Sequence, residues 1–308
     1  MTMNYELAII GAGSAGYSAG IYAGRSGIKT IIFDKAGGGG MAIVSPKIEN
    51  YAGFESISGM KLMDKMKQHA SKYADIKLYE EIKKIERSND KFNISTTKGK
   101  YATGAIILCV GTDYKKLNVP GEKELQGKGV SYCATCDGFF FKGKKVAVVG
   151  GGNTALIEAI FLKQIGCTEV YLIHRRDQLR AEKAYEDEAR SKHVQMFFNK
   201  VVKSITGEQK VEQIILKDTV TEAEAILDVD GVFISIGEVP QNNLAKELNL
   251  HLDEKGFIIV DRQQRTNIKG VYAAGDITGG LRQIVTACAE GAIAALTSTE
   301  VLNKKYPY

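Results

Sequence analysis

An apolar run that breaks on glycines and then turns helical occurs twice in this chain. Leu7-Ala8-Ile9-Ile10 has no polar position, the pattern of a strand buried on both faces. It runs into Gly11-Ala12-Gly13-Ser14-Ala15-Gly16 and a helical stretch to about Ser26, which Gly27 stops, and Thr30 to Asp34 predicts the next strand. Val146-Ala147-Val148-Val149 opens the second copy. Gly150-Gly151-Gly152-Asn153-Thr154-Ala155 follows, then a helix to about Gln164, a stop at Gly166 and a strand over Glu169–Ile173. Gly27 follows Gly11 at the interval at which Gly166 follows Gly150, so one strand–turn–helix–strand unit is repeated.

The remaining pattern fills out two α/β units. Ala105 to Thr112 and Gly231 to Gly237, the latter followed by Pro240, are apolar strands that end on glycine, each late in its own unit. Glu80–Lys100 and Val201–Ile226 alternate apolar and polar positions, with turns at Asn89-Asp90 and Thr206-Gly207, and predict small antiparallel excursions. Gly270 to Asp276 reads as a strand stopping on Gly-Asp, ahead of a helix from about Arg282 to Leu302. Leu117-Asn118-Val119-Pro120-Gly121 and Pro240-Gln241-Asn242-Asn243 have the composition of junctions. The second unit, about 116–243, is therefore expected as an insertion in a first domain made of 1–115 and 244–308. The fold class is α/β, with two Rossmann-like three-layer domains.

Composition changes this picture little. The chain of 308 residues has 33 Gly and only 4 Pro, which suits strand–turn–helix units better than disorder, and its net charge of +5 is that of a mixed solvated surface. Five cysteines are too few, and odd in number, for a disulfide-stapled secreted scaffold. Cys109, Cys167 and Cys288 lie in apolar or helical runs and are expected to be inert small core residues. No basic leader precedes the first strand and no apolar stretch reaches membrane-spanning length, so the expected compartment is cytoplasmic. Nucleic acid, membrane and metal are not among the expected partners.

The repeated unit has a chemical meaning. In a strand–helix turn, Gly11 permits the tight bend, Gly13 lets a pyrophosphate approach the backbone, and Gly16 allows close helix–strand packing, with phosphates at the helix N-terminus. Asp34 falls where an acid accepts hydrogen bonds from a ribose diol. In the second unit that place holds His174-Arg175-Arg176, with Arg180 shortly after. Arginines there suit a 2′-phosphate, although a solvated basic helix start reads the same way. Two such units imply two dinucleotides.

Between them lies Cys133-Ala134-Thr135-Cys136-Asp137. A Cys-x-x-Cys pair can close a small disulfide ring with one activated thiol, or form half of a zinc site. No second Cys-x-x-Cys exists, and His174 belongs to the other motif. Asp137 is a candidate acid to protonate a departing thiolate; as a turn residue before Gly138 it would have no such role.

Taken together, these residues closely resemble the low-molecular-weight thioredoxin reductases over essentially the whole chain. The resemblance rests on Gly11-Ala-Gly-Ser-Ala-Gly16, Cys133-Ala-Thr-Cys-Asp-Gly-Phe-Phe140, Gly150-Gly-Gly-Asn-Thr-Ala155, His174-Arg-Arg-Asp177 through Arg180-Ala-Glu182, and Ala274-Gly-Asp276 with Arg282-Gln283. It implies FAD in the first unit, NADPH in the inserted one and a redox-active Cys133–Cys136 disulfide. NADPH would reduce FAD, FAD the disulfide, and the disulfide a thioredoxin or thioredoxin-like protein, with Cys136 beside the flavin and Cys133 attacking the partner. A homodimer and a rotation of the inserted domain are implied as well. On the flavin side the implied contacts are Gly11, Gly13, Ser14, Ala15, Gly16, Lys35, Gly40, Met41, Asn50, Gly111, Thr112, Gly275, Asp276, Arg282 and Gln283, to which spacing adds Asp34. On the NADPH side they are Gly152, Asn153, Thr154, His174, Arg175, Arg176, Arg180 and Gly237. One stretch departs from the family: Gly39-Gly40-Met41-Ala42 and Ile43-Val44-Ser45 replace its Gly-Gly-Gln-Leu and following threonines, so side-chain hydrogen bonds to the flavin are lost there. A related FAD/NADPH oxidoreductase with another acceptor is the alternative.

Overall fold

A computed structural model describes residues 2–45 and 47–305; the outermost positions of the expected first domain, 1 and 306–308, and position 46 lie outside the described residues. The chain divides into two compact units, Met1–Asp113 with Val239–Tyr308, and Tyr114–Glu238. Both divisions fall slightly before the expected junctions. Leu117 and Val119 pack on the core of the second unit, and the Glu122 carboxylate accepts the backbone N–H groups of Leu117 at 3.0 Å and Asn118 at 2.6 Å. A segment with the composition of a linker is thus a folded corner, held by one carboxylate. The two passing segments, Thr112–Tyr114 and Glu238–Pro240, pair as a short ladder.

The first unit begins with β1 (Leu7–Ile10), α1 (Ser14–Arg25), β2 (Thr30–Phe33), β3 (Asp75–Lys77) and β4 (Ala105–Leu108). The second contains β5 (Val130–Ser131), α2 (Ala134–Asp137), β6 (Lys145–Val149), α3 (Asn153–Gln164), β7 (Glu169–Ile173), β8 (Gln195–Phe197) and β9 (Gly231–Ile234). The chain then returns to the first unit with β10 (Val271–Ala273) and α4 (Ile284–Ser298). All pairings in the two five-stranded sheets are parallel, in the orders β10-β4-β1-β2-β3 and β5-β9-β6-β7-β8.

Alternation along each buried strand sorts side chains between two covers. Leu7 and Ile9 face the alanines of α1 and α4, while Ala8 and Ile10 face Ile85, Ile94 and Tyr101 of the antiparallel sheet formed by 82–103. Val146 and Val148 likewise face α3, and Ala147 and Val149 face Val202, Ile205, Ile214 and Leu216 of the antiparallel excursion over 200–228. Each unit is therefore three layers, helices on one face of a parallel sheet and antiparallel strands on the other, as the sequence leads one to expect. Helix α4 stops at Ser298, earlier than expected. The hydroxyls of Thr297, Ser298 and Thr299 donate to the carbonyls of Ile293, Ala295 and Leu296, and such local bonds compete with further helix. Among the described residues no helix is long and apolar enough to cross a membrane.

Helices α1 and α4 approach closely enough for the Ser18 hydroxyl to donate to the Cys288 carbonyl at 2.7 Å. A Cβ at Gly291 would lie 2.2 Å from the Ala15 carbonyl oxygen, a backbone atom that cannot step aside. The clash outweighs the roughly 1 kcal/mol by which Ala favours a helix over Gly. Gly291→Ala is expected to lower stability by about 1–3 kcal/mol, read as a lower urea midpoint at unchanged slope.

Candidate active site

The glycines of the two turns divide by physical cause. Gly11 has φ +109, and a Cβ there would lie 2.1 Å from the Cys109 carbonyl oxygen; a Cβ on Gly16 would lie 1.9 Å from the Gly11 oxygen. At Gly150 the equivalent clash is with the Ser235 oxygen at 2.4 Å. These glycines are demanded by the protein's own backbone. Gly13 (φ −90) and Gly152 (φ −107) sit just before α1 and α3 and are open to any residue conformationally. A Cβ at Gly152 would meet nothing within 4 Å, and one at Gly13 only the Gly40 Cα at 3.9 Å. Each leaves bare backbone at a helix N-terminus, where an anionic group can approach. Ser14 and Ala15, and Asn153 and Thr154, are the first helical residues behind them. The residues present fit two dinucleotides.

A lock holds each turn to the end of the neighbouring strand. Asp34, following β2, accepts the Ala12 N–H at 2.8 Å and the Ala36 N–H at 2.7 Å. His174 follows β7 in the same place, with its ring against Gly151 and its Nε2 2.9 Å from the Gln178 carbonyl oxygen. Asp34 and His174 are thus positioned as supports of the turns, a role that spacing alone did not show. Arg175, Arg176 and Arg180 are exposed and make no ion pair among the described residues, while the Arg180 N–H donates to Gly151 at 2.8 Å. Asn153 is engaged by Glu182, donating to its carboxylate at 2.7 Å and accepting its N–H at 2.8 Å.

On the first unit's side, the glycine run folds over the turn, with the Gly39 N–H on the Ala12 carbonyl at 2.6 Å and a Cβ built on Gly40 only 3.5 Å from the Gly13 Cα. Met41 follows in a short 3-10 helix, half-buried, and Lys35 is exposed. Asn50 donates to the Gln283 side chain at 3.1 Å, bringing together two residues far apart in sequence. Gly275 (φ +80) and Asp276 end the β10 segment; burial raises the Asp276 pKa, partly offset by Arg282. Arg282 reaches the Gly279 carbonyl. Gly111, Thr112 and Gly237 lie instead at the two passing segments, where Gly237 accepts the Lys115 N–H at 2.9 Å. Glu290, absent from the sequence expectations, accepts the Gly275 N–H at 2.7 Å and the Thr278 hydroxyl at 3.2 Å, and burial raises its pKa.

Cys133 and Cys136 are joined by a disulfide, Cα atoms 5.3 Å apart, so neither offers a thiolate to a metal in this state. The bridge spans α2, immediately after edge strand β5. In the other unit β10 holds that edge, so the disulfide stands where the first unit has Gly275-Asp276. Both lie at the carboxyl ends of parallel strands, where open α/β sheets bind ligands. The Ser131 hydroxyl donates to Asp137 Oδ2 at 2.7 Å, and Ser131 Oγ accepts the Cys133 N–H at 3.1 Å. Phe139, 59% exposed and edge-on to Phe161, stands in the sequence only as part of the Cys133–Phe140 string, and its exposure is decided by tertiary packing. The three remaining cysteines are raised in pKa by burial, Cys167 to about 11.

Burial lowers the His174 pKa, with the Arg180 charge acting the same way against the Gln178 carbonyl. The unfolded chain takes up this proton near pH 6.5 and the folded chain only below that. Stability from this group is therefore full above about pH 6.5 and lost as the pH falls through the folded value. The urea midpoint is expected to drop as the pH falls below about 6.5, and His174→Phe, which keeps a ring but cannot titrate, should flatten that drop.

Comparison with known proteins gives the family. Residues 5–291 match the pyridine nucleotide-disulphide oxidoreductase family. The thioredoxin reductase of Bacillus subtilis is 42% identical over 294 residues, covering 94% of this chain and 92% of that one. Among solved structures, the thioredoxin reductase of Streptococcus pyogenes is 38% identical with a TM-score of 0.93, covering 98% of this chain and 99% of its own. That of T. acidophilum is 41% identical with a TM-score of 0.66, covering 96% and 98%. The chain belongs to the pyridine nucleotide-disulphide oxidoreductases, among the thioredoxin reductases, a family that implies a flavin and a pyridine nucleotide.

Proposed function

We propose that this thioredoxin reductase holds FAD in its first unit and NADPH in its second, and that Cys133–Cys136 reduces the disulfide of a thioredoxin or thioredoxin-like protein. The observation that carries the reading is the disulfide at the carboxyl end of β5. Two strands away, roughly 10 Å across the sheet, β6 opens a glycine turn whose middle glycine has no packing reason to be glycine. Bound in the two units, the cofactors supply the electron pair from nicotinamide through flavin to the disulfide.

The chain's own residues do the rest. Asp34 sets the first turn, and backbone at Gly40 and Met41 takes the place of the family's glutamine side chain. Exposed Arg175, Arg176 and Arg180, without carboxylate partners among the described residues, favour a 2′-phosphate and hence NADPH over NADH. Cys133 attacks the partner's disulfide, Cys136 resolves the mixed disulfide, and Asp137 provides the proton for a released thiolate. Phe139 gives a protein partner an apolar anchor beside the bridge. One disulfide cannot meet a flavin and a protein at once, so the reading includes rotation of the second unit about the paired passing segments. Solved relatives of similar sequence identity differ widely in how well they superpose over the whole chain, which supports such a movement in the family.

Cys133→Ser and Cys136→Ser are each expected to keep flavin bleaching by NADPH while turnover with thioredoxin is lost. Continued thioredoxin reduction by either variant would remove the pair from the route. Arg175→Ala combined with Arg176→Ala is expected to raise KM for NADPH on the order of 100-fold, two charge-assisted bonds at about 1.5 kcal/mol each, and KM for NADH hardly at all. Equal rises for both nucleotides would mean that the arginines do not read the 2′-phosphate.

A further inference from the structure

Ser131 is 5% exposed, the last residue of β5, and its hydroxyl meets three groups of the redox centre. It lies 2.7 Å from Asp137 Oδ2, 3.1 Å from the Cys133 backbone nitrogen and 3.4 Å from the Cys133 carbonyl oxygen. A hydroxyl has one hydrogen to give and two lone pairs. The Cys133 N–H occupies one lone pair throughout. When Asp137 is ionised it can only accept, so the Ser131 hydrogen points at Oδ2. When Asp137 is protonated it can donate to the second lone pair, and the Ser131 hydrogen turns to the Cys133 carbonyl. Both protonation states of the acid are then satisfied with no movement of a heavy atom.

We infer that Ser131 is the positioning residue that lets Asp137 hold and release a proton at the disulfide while fixing the Cys133 backbone. The inference rests on the reading of Asp137 as proton donor. In that step the S–S bond breaks on taking two electrons from the flavin. One proton leaves the Asp137 carboxyl for a released thiolate, and Ser131 swings its hydrogen back to the new carboxylate. Other charged groups face this region. Glu158 of α3 approaches the Ala134 N–H at 3.5 Å, and on the far side of β5 Lys116 lies over the Tyr132 ring, whose hydroxyl donates to Glu122.

The test is the pH profile of kcat of the FAD-loaded enzyme with NADPH and thioredoxin, for the unaltered enzyme, Ser131→Ala, Ser131→Thr, Asp137→Asn and Glu158→Gln. An acid that must be protonated makes turnover fall as pH rises. A hydrogen bond donated to its ionised form holds that fall at lower pH. Ser131→Ala is expected to move the midpoint of the basic limb up by about one pH unit, so that turnover persists to higher pH, with Ser131→Thr restoring the midpoint. Asp137→Asn should remove the limb and Glu158→Gln should keep it. A uniform loss at every pH in Ser131→Ala, or failure of Thr to rescue, overturns the role of Ser131. Persistence of the limb in Asp137→Asn overturns the role of Asp137 instead, and its loss in Glu158→Gln assigns it to Glu158. If Ser131→Ala does not fold, Ser131→Thr against Ser131→Val, equal in shape and differing in the hydroxyl, gives the same reading.

Discussion

The contact between each glycine turn and the end of the adjacent strand is the constraint on which the rest of this protein depends. In the first unit the Gly11 N–H donates to the Phe33 carbonyl at 2.8 Å, and the Cys109 N–H to Ile10 at 2.7 Å. In the second the Gly150 N–H donates to Ile173 at 3.0 Å, and the Ser235 N–H to Val149 at 2.8 Å. The same two backbone bonds thus appear in each unit, and they bring two chain segments so close that no side chain fits between them. That closeness aims the helix N-termini at one edge of each sheet. It also leaves Gly13 and Gly152 as bare backbone facing outward.

Around this edge the protein uses single polar side chains to fix loops that have no regular structure. Asp34 holds the first turn, Glu290 the Gly275 corner, Glu122 the segment after the first passage, and Ser131 the disulfide corner. Each takes one or more backbone N–H groups that would otherwise be buried without a partner. At the His174 position a ring does the same work by packing, and its neutral state follows from that burial. The arginines next to it stay exposed and make no ion pair among the described residues.

The duplicated sheets also show how one scaffold serves two tasks. In each, an edge strand stands beside the strand that carries the second stop, β10 beside β4 and β5 beside β9. In the first unit this edge ends in Gly275-Asp276, and in the second it ends in the Cys133–Cys136 bridge. The edge strand comes late in the first unit and early in the second, so the equivalence is spatial and not sequential. The disulfide thereby stands on the sheet edge that in the first unit carries Gly275-Asp276.

The sequence by itself determined the repeated unit and the three-layer α/β class, because these follow from local rules, and the Cys133–Cys136 pair became legible as a redox pair through the family resemblance. Unbroken apolar runs give buried parallel strands, glycine spacing gives the turn, and alternation at Lys91–Thr96 and Gln213–Asp218 gives the antiparallel covers. Only the tertiary structure decided which polar residues support the site. Glu290 and Asp276, Asn50 and Gln283, and Ser131 and Asp137 meet through turns and strand pairing that no periodicity encodes. Likewise Leu117–Gly121 carries the composition of a linker, yet one carboxylate five residues from Leu117 folds it into the core. Long-range hydrogen bonds to backbone leave no mark in the sequence pattern, since any Asp, Glu, Ser or Asn could make them and the fold alone selects which one does.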